Sequence, residues 1–174
     1  RAYAALANDG KYTGTSSILE IRDADGNLLY APPAGAKPAQ QIIDPRVAWL
    51  ISDILSDDQA RQTGFGLNSV LKIDRTAAVK TGTTTNFHDN WTVGYTPDLL
   101  VGVWVGNSNY QAMHNVTGLT GAAPIWAETM RSILQGRPDK PFTQPDGLIK
   151  FEVCDISGLL TTDACQHTKT EWFI

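Results

Sequence analysis

The chain has 174 residues, 42% of them apolar and 18% charged, with 14 Lys and Arg against 18 Asp and Glu for a net charge of −4. That is long enough for one domain with its own hydrophobic core, and too apolar for a disordered segment. The acidic balance argues against nucleic acid as a partner, and no stretch nears the ~18 consecutive apolar residues that a bilayer span needs. No signal-peptide pattern is present either. The first residues, RAYAALANDG, begin with Arg1 and read as the end of a helix. The chain is therefore expected to be a piece of a longer protein or a processed product.

In chain order, residues 1–9 predict a helix end closed by Gly10. Ile18, Leu19 and Ile21, then Leu28, Leu29 and Tyr30, flank Asp25-Gly26-Asn27, a β-hairpin signal. Residues 31–40, APPAGAKPAQ, read as a loop. Asp44 as N-cap and Pro45 at the first helical position open a second helix, with Val47, Leu50, Ile51, Ile54 and Leu55 on one apolar face. RQTGFGLNSVLKIDRT, residues 61–76, reads as a connector. Three strands follow: AAVKTGT, then NWTVGYTP with Trp91, Val93 and Tyr95 alternating on one face, then LLVGVWVGN. Their short connectors favour antiparallel pairing, with Pro97-Asp98 as the turn between the last two. A helix is predicted over 123–135, bounded by Pro124 and Gly136. Residues 137–147 look like a linker, and 148–174 like a short appendage that holds both cysteines. No internal repeat is evident. Helices segregated beside an antiparallel sheet make the expected fold class α+β.

Cys154 and Cys165 fall in a segment rich in turn residues. One disulfide, and with it an oxidising compartment, is the favoured reading. Two unlinked buried thiols are the alternative, since spacing alone does not show geometry. A zinc site built from Cys154, Cys165 and His167 is the weakest, because it lacks closely paired ligands.

The stretch VKTGTT, residues 79–84, sets Lys80, Thr81, Gly82, Thr83 and Thr84 at the end of the first strand. On an edge strand that run has a chemical use. Lysine brings a fixed positive charge, threonine hydroxyls can hold a carboxylate, and glycine lets a substrate lie against the strand. The N–H after the glycine can donate to a developing oxyanion. The triplet by itself is common, and a solvated lysine on an edge strand is the plain alternative. It is no phosphate-binding loop, since Val79 rather than glycine precedes the lysine.

The longer string is far more specific. KTGTTTNFHDNWTVGYTPDLLVGVWVGNSN, residues 80–109, closely resembles the segment around the Lys-Thr-Gly motif in the transpeptidase domain of class A, bifunctional penicillin-binding proteins. The family's Asp-x-Trp corresponds to Asp89 and Trp91, its Gly-Tyr-Thr-Pro to Gly94–Pro97, and its Trp-Val-Gly to Trp104–Gly106. YAALANDGKY, TGLTGAAPIW and CDISGLLTTDAC extend the likeness over nearly the whole chain.

The resemblance implies a β-lactamase/transpeptidase-like fold and a serine acyltransferase that cross-links peptidoglycan stem peptides and is trapped by β-lactams. It implies an extracytoplasmic location, with membrane attachment only through the parent chain, and no metal or organic cofactor. Lys80 would be the positive group near the substrate's carboxylate, and Thr81 and Thr83 would contact that carboxylate. Gly82 would give clearance, the Thr83 N–H would form half of the oxyanion hole, and Thr84 would line the same strand.

The family's Ser-x-x-Lys and Ser-x-Asn motifs are missing. Ser69-Val70-Leu71-Lys72 fits the first pattern but lies only eight residues before Lys80, in a connector. Residues 1–136 are thus expected to be the C-terminal portion of a transpeptidase domain, inactive alone and completed by its upstream half. Residues 137–174 are expected to be the linker and cysteine-bearing appendage. A related D,D-carboxypeptidase or β-lactamase-type hydrolase, or a non-catalytic scaffold, stays open as an alternative. His88 reads as a loop residue, His114 as exposed, Asp89 as a hydrogen-bonding partner for the loop after the strand, and Trp91 and Trp104 as core.

Overall fold

The structure is a computed structural model that describes residues 1–32 and 38–174. Helix α1 (Ala2–Ala7) ends at a turn in which the Gly10 N–H returns to the Ala5 carbonyl at 2.8 Å. Strand β1 (Lys11–Tyr12) follows, then a hairpin of β2 (Ile21–Arg22) and β3 (Leu28–Tyr30), then β4 (Gln40–Gln41), which pairs antiparallel with β1. The hairpin is turned by Asp23, whose carboxylate accepts from the backbone of Asp25 and Asn27 and from the Asn27 side chain. The loop expected over 31–40 falls partly on residues 33–37, outside the described residues, and it gives way to strand at Gln40.

Helix α2 (Pro45–Ser56) starts where the sequence places it. Asp44 accepts the Arg46 N–H at 2.9 Å, and the Arg46 guanidinium hydrogen-bonded to it holds its carboxyl down at about 2. The helix is rotated from the expected face, however. Ala48 and Ser52 are buried, whereas Val47 and Ile54 are exposed. Helix α3 (Asp58–Phe65) occupies the start of the expected connector. Its polar composition and Gly64 hide it, yet Asp57 caps the N–H groups of Gln59 and Ala60, and Gly66 closes it at φ 79°.

The central sheet has three antiparallel strands in the order β5 (Ala78–Thr83), β6 (Asp89–Tyr95) and β7 (Leu100–Gly106). One face packs on helix α4 (Ala122–Leu134), and the other is met at its Ala78–Tyr95 end by α1 and α2. The core between α4, β5 and the segment before it includes Leu71, Ile73, Val79, Trp126, Met130 and Leu134.

The alternation in β6 is the expected one, with Trp91, Val93 and Tyr95 on one face, but Trp91 and Trp104 are not core: on that face Tyr95 is the fully buried residue. Asn90, Thr92 and Gly94 face α4 and are buried, while Trp91 is 47% exposed and Trp104, its partner across the strands, is 42% exposed. The reason is the shape of α4. The Trp126 indole lies so close to Gly94 that a Cβ there would come within 2.3 Å of the ring. A helix carrying a buried tryptophan needs a strand face of small residues, so the large aromatics turn the other way.

The tail holds more than an appendage. Strands β8 (Ile149–Cys154) and β9 (Thr168–Phe173) form a hairpin, and a disulfide joins Cys154 to Cys165 with Cα atoms 5.7 Å apart. Both sulfurs are thereby consumed, which leaves no thiolate for zinc. The hairpin docks on α2 through an edge-to-face contact of Trp172 with Trp49, ring centres 5.6 Å apart. Ahead of it, Phe142 meets Tyr95 edge-on. Among the described residues, no helix is long and apolar enough to cross a membrane.

Two outcomes follow from this packing. Gly94→Ala forces a methyl into the Trp126 ring and is expected to cost about 2–3 kcal/mol, read by guanidinium unfolding of the protein. Tyr95 is fully buried with its hydroxyl 3.0 Å from Ser52 Oγ, and burial raises its hydroxyl above the ordinary 10.0. The folded state therefore keeps a proton that the unfolded state releases. Stability should be intact below pH ~10 and fall as pH rises beyond it, and Tyr95→Phe should remove that component from a pH series of melting temperatures.

Candidate active site

Strand β5 is an edge of the central sheet, and its register on β6 fixes which way each side chain points. Lys80 is opposite Val93 and Gly82 opposite Trp91, on the open face, whereas Thr81 and Thr83 are opposite Thr92 and Asn90, on the α4 face. Side chains alternate across a strand, so anything lying along this edge meets the lysine from one side and the threonines from the other. Lys80 is exposed, and its ammonium rests on the Thr81 carbonyl at 2.5 Å. Beside it lies an open cavity of about 280 Å³ lined by Ile54, Leu55, Phe65, Val79, Lys80 and Thr81 among others.

Gly82 stands apart from the other glycines near the site. A Cβ built on it would meet nothing closer than the Trp91 Cβ at 3.9 Å, and its φ is not positive. The chain's own packing does not require glycine there.

The turn after the strand is tightly bound. Thr84 Oγ1 accepts the Asp89 N–H at 2.8 Å, the Thr84 N–H donates to the Asp89 carbonyl at 2.9 Å, and Trp104 Nε1 donates to the Asp89 carboxylate at 2.8 Å. Asp89 thus ties down the loop as its position suggested, and the Thr84 hydroxyl is engaged inside the turn. Asn86 and Phe87 both adopt left-handed φ, 59° and 56°. For Phe87 that is costly, and the Met113 N–H bonded to its carbonyl at 3.0 Å helps to hold it. His88 stacks on Tyr110 with ring centres 4.3 Å apart, as a loop residue would, and His114 is exposed. Ser69 sits in a turn, its Oγ accepting the Leu71 N–H, with no helix around it.

Sequence reading missed the residues beneath the strand. The loop of residues 116–121, leading into α4, is sewn to the underside of β5 and β6. The Gly118 N–H donates to Thr83 Oγ1 at 2.9 Å, and Thr92 Oγ1 donates to the Gly118 carbonyl at 3.1 Å. Asn90 accepts the Ala122 N–H at 3.1 Å and donates to the Val116 carbonyl at 3.4 Å. Asn90 and Thr92 are fully buried. Two polar residues alternating with Trp91 and Val93 were the available signal. Among the described residues, no group of three His, Cys, Asp or Glu side chains is arranged to hold a metal ion.

Residues 1–131 match the family model for the penicillin-binding protein transpeptidase domain, and residues 144–174 match that for the C-terminal domain of penicillin-binding protein 1A. The chain belongs to the penicillin-binding protein transpeptidase family. It is 35% identical over 151 residues to penicillin-binding protein 1A of Neisseria lactamica, across 85% of this chain and 19% of that one. It is 29% identical over 178 residues to penicillin-binding protein 2D of Bacillus subtilis, across 99% of this chain and 25% of that one. The crystal structure of penicillin-binding protein 1A from Haemophilus influenzae shares the fold, with a TM-score of 0.80 over 100% of this chain and 31% of that one at 22% identity. The penicillin-binding protein PonA1 from Mycobacterium tuberculosis gives 0.66 at 29% identity, over 84% of this chain and 39% of that one. The α+β fold with an antiparallel sheet is thus that of penicillin-binding transpeptidase domains, and the chain spans about a fifth to a quarter of the curated relatives' length.

Asn90→Ala would leave the Ala122 N–H buried without an acceptor. It is expected to destabilise by about 2–3 kcal/mol in a denaturant titration and to speed amide exchange at Ala122.

Proposed function

We propose that this chain is the C-terminal part of a class A penicillin-binding protein's transpeptidase domain, one that cross-links peptidoglycan stem peptides through a serine acyl-enzyme. The observation that carries the reading is the edge at Gly82. Its glycine answers no internal packing need, it lies between Lys80 and Thr83, and its face is open. A glycine kept where the chain itself has room for a side chain leaves clearance for something outside the chain.

In this reading Lys80 supplies the positive charge near the substrate's carboxylate, and the Thr81 and Thr83 hydroxyls hold that carboxylate from the other face. The Thr83 N–H donates to the oxyanion as the carbonyl becomes tetrahedral. Thr84 lines the same strand and acts through the turn it closes with Asp89. The serine that attacks, and the base that takes its proton, come from the upstream half of the domain. The acyl–nitrogen bond then breaks and the leaving amine carries off a proton. Serine acyl transfer requires no metal or organic cofactor. β-Lactams enter the same chemistry and remain as the acyl-enzyme.

The half-exposed Trp91 and Trp104, and the outer edge of β7, which has no partner strand among the described residues, are surface for that upstream half to cover. Alone, the chain is inactive. Residues 1–136 belong to the transpeptidase domain, and residues 137–174 form a linker and a disulfide-bearing hairpin. The disulfide supports an oxidising, extracytoplasmic location for a parent that carries any membrane anchor.

The test is labelling of the parent protein with a fluorescent penicillin. Lys80→Ala should abolish most of the label. Gly82→Ala should lower the acylation rate at least about tenfold while the melting temperature stays within about 2 °C, since its methyl meets only open space inside the chain. A folded parent that takes no label would sink the enzymatic reading and leave a non-catalytic member of the family.

A further inference from the structure

Of the two threonines of β5, Thr83 is the one whose hydroxyl oxygen accepts from the loop below. The Gly118 N–H donates to it at 2.9 Å. A hydroxyl that accepts from an amide must direct its own proton elsewhere, because two hydrogens cannot share one lone-pair direction. Thr83 is exposed, so its hydroxyl proton, kept off the Gly118 amide, is free to donate to a ligand at the strand end. A carboxylate accepts hydrogen bonds and has none to give, so a preset donor suits it, and a donor fixed in advance needs no reorganisation when the ligand arrives.

Gly118 is itself immobilised. Its carbonyl accepts from Thr92 Oγ1 at 3.1 Å and from the Ala123 N–H at 2.8 Å. Its Cα lies against the neighbouring backbone so closely that a Cβ would come within 2.7 Å of the Gly82 oxygen and 2.8 Å of the Trp91 oxygen. The loop amide that meets Thr83 is therefore held by the same strands that form the site wall.

We propose that Gly118 is a positioning residue for carboxylate recognition: its amide fixes the Thr83 hydroxyl so that the hydroxyl proton points at the carboxylate of the acyl donor. The proposal rests on the acyl-transfer reading of the strand and adds a device to it. Gly118 touches no substrate and acts only through Thr83.

The experiment uses the parent protein with its upstream half. Acylation rates are compared for benzylpenicillin, which carries a free carboxylate, and for its methyl ester, which does not. Gly118→Ala pushes the loop off the strand. Thr92→Val keeps the shape of the buried residue and removes only the hydroxyl that holds Gly118, so it decides the matter should Gly118→Ala fail to fold. Each is expected to slow benzylpenicillin by about five- to twentyfold and the ester by less than about twofold. Thr83→Val should lower the ratio of the two rates at least as far, and Thr92→Val added to it should lower that ratio no further. Equal slowing of both probes by Thr92→Val, with the melting temperature kept, overturns the proposal, and so does a further loss in the double variant. A ratio unchanged in Thr83→Val shows that Thr83 does not meet the carboxylate and overturns the proposal at its root. Failure of the unaltered parent to acylate would instead sink the acyl-transfer reading itself.

Discussion

The backbone between residues 116 and 122 runs hard against the underside of β5 and β6, and much of the site wall depends on that close approach. The strand residues facing it are polar, Thr92 under Gly118 and Asn90 under the start of α4, and beyond them Gly94 makes room for the Trp126 indole of α4. Buried polar groups are costly unless paired. Here the side chains of Asn90 and Thr92 answer backbone groups of the loop, including the Ala122 N–H at the entry to α4, a place where helices leave donors without partners. The same contacts that satisfy these groups fix the loop relative to the strand.

The consequence is a rigid edge. One side of β5 is paired to β6, its α4 face is braced by the loop, and the turn at its end is closed by Thr84, Asp89 and Trp104. Phe87 keeps an unfavourable backbone conformation in that turn, which persists only where neighbours over-determine it. What stays open is the outer edge near Gly82 and the face carrying Lys80. In the proposed acyl-transfer reading, rigidity on one side and openness on the other suit a wall for an incoming acyl donor, because a positioned donor stabilises developing charge better than a mobile one.

The opposite end of the sheet is closed by a different set of contacts. Tyr95 is packed near Tyr3, Ser52 and Phe142, and the tail hairpin reaches α2 through Trp172 and Trp49. These aromatic contacts join residues far apart in sequence, so the tail braces the helix that flanks the site strand. The disulfide restrains the loop between β8 and β9 and narrows the unfolded ensemble of a two-stranded hairpin that would be marginal by itself.

Local signals were legible in the sequence because each has a local cause. Asp44-Pro45 starts a helix with a side chain that bonds its own first turn, Asp25-Gly26 turns a hairpin, and the run from Ala78 to Gly106 gives three strands with connectors too short for anything but antiparallel pairing. The family motif around Lys80 was equally legible, since it is contiguous. Helix α3 was not, because its apolar content is low and its stop and start rest on Asp57 and Gly66 rather than on a periodic face. The facing of β6 was not either. Alternation gave the period of that strand but not which face meets α4; of the apolar set Trp91, Val93 and Tyr95, Tyr95 is fully buried, at the α1 and α2 end, while Trp91 is half-exposed. Only the tertiary structure, by laying Trp126 on Gly94 and a loop carbonyl on Thr92, turned the polar set inward. A strand's period is a property of its own backbone, whereas the side that is buried belongs to whatever packs against it.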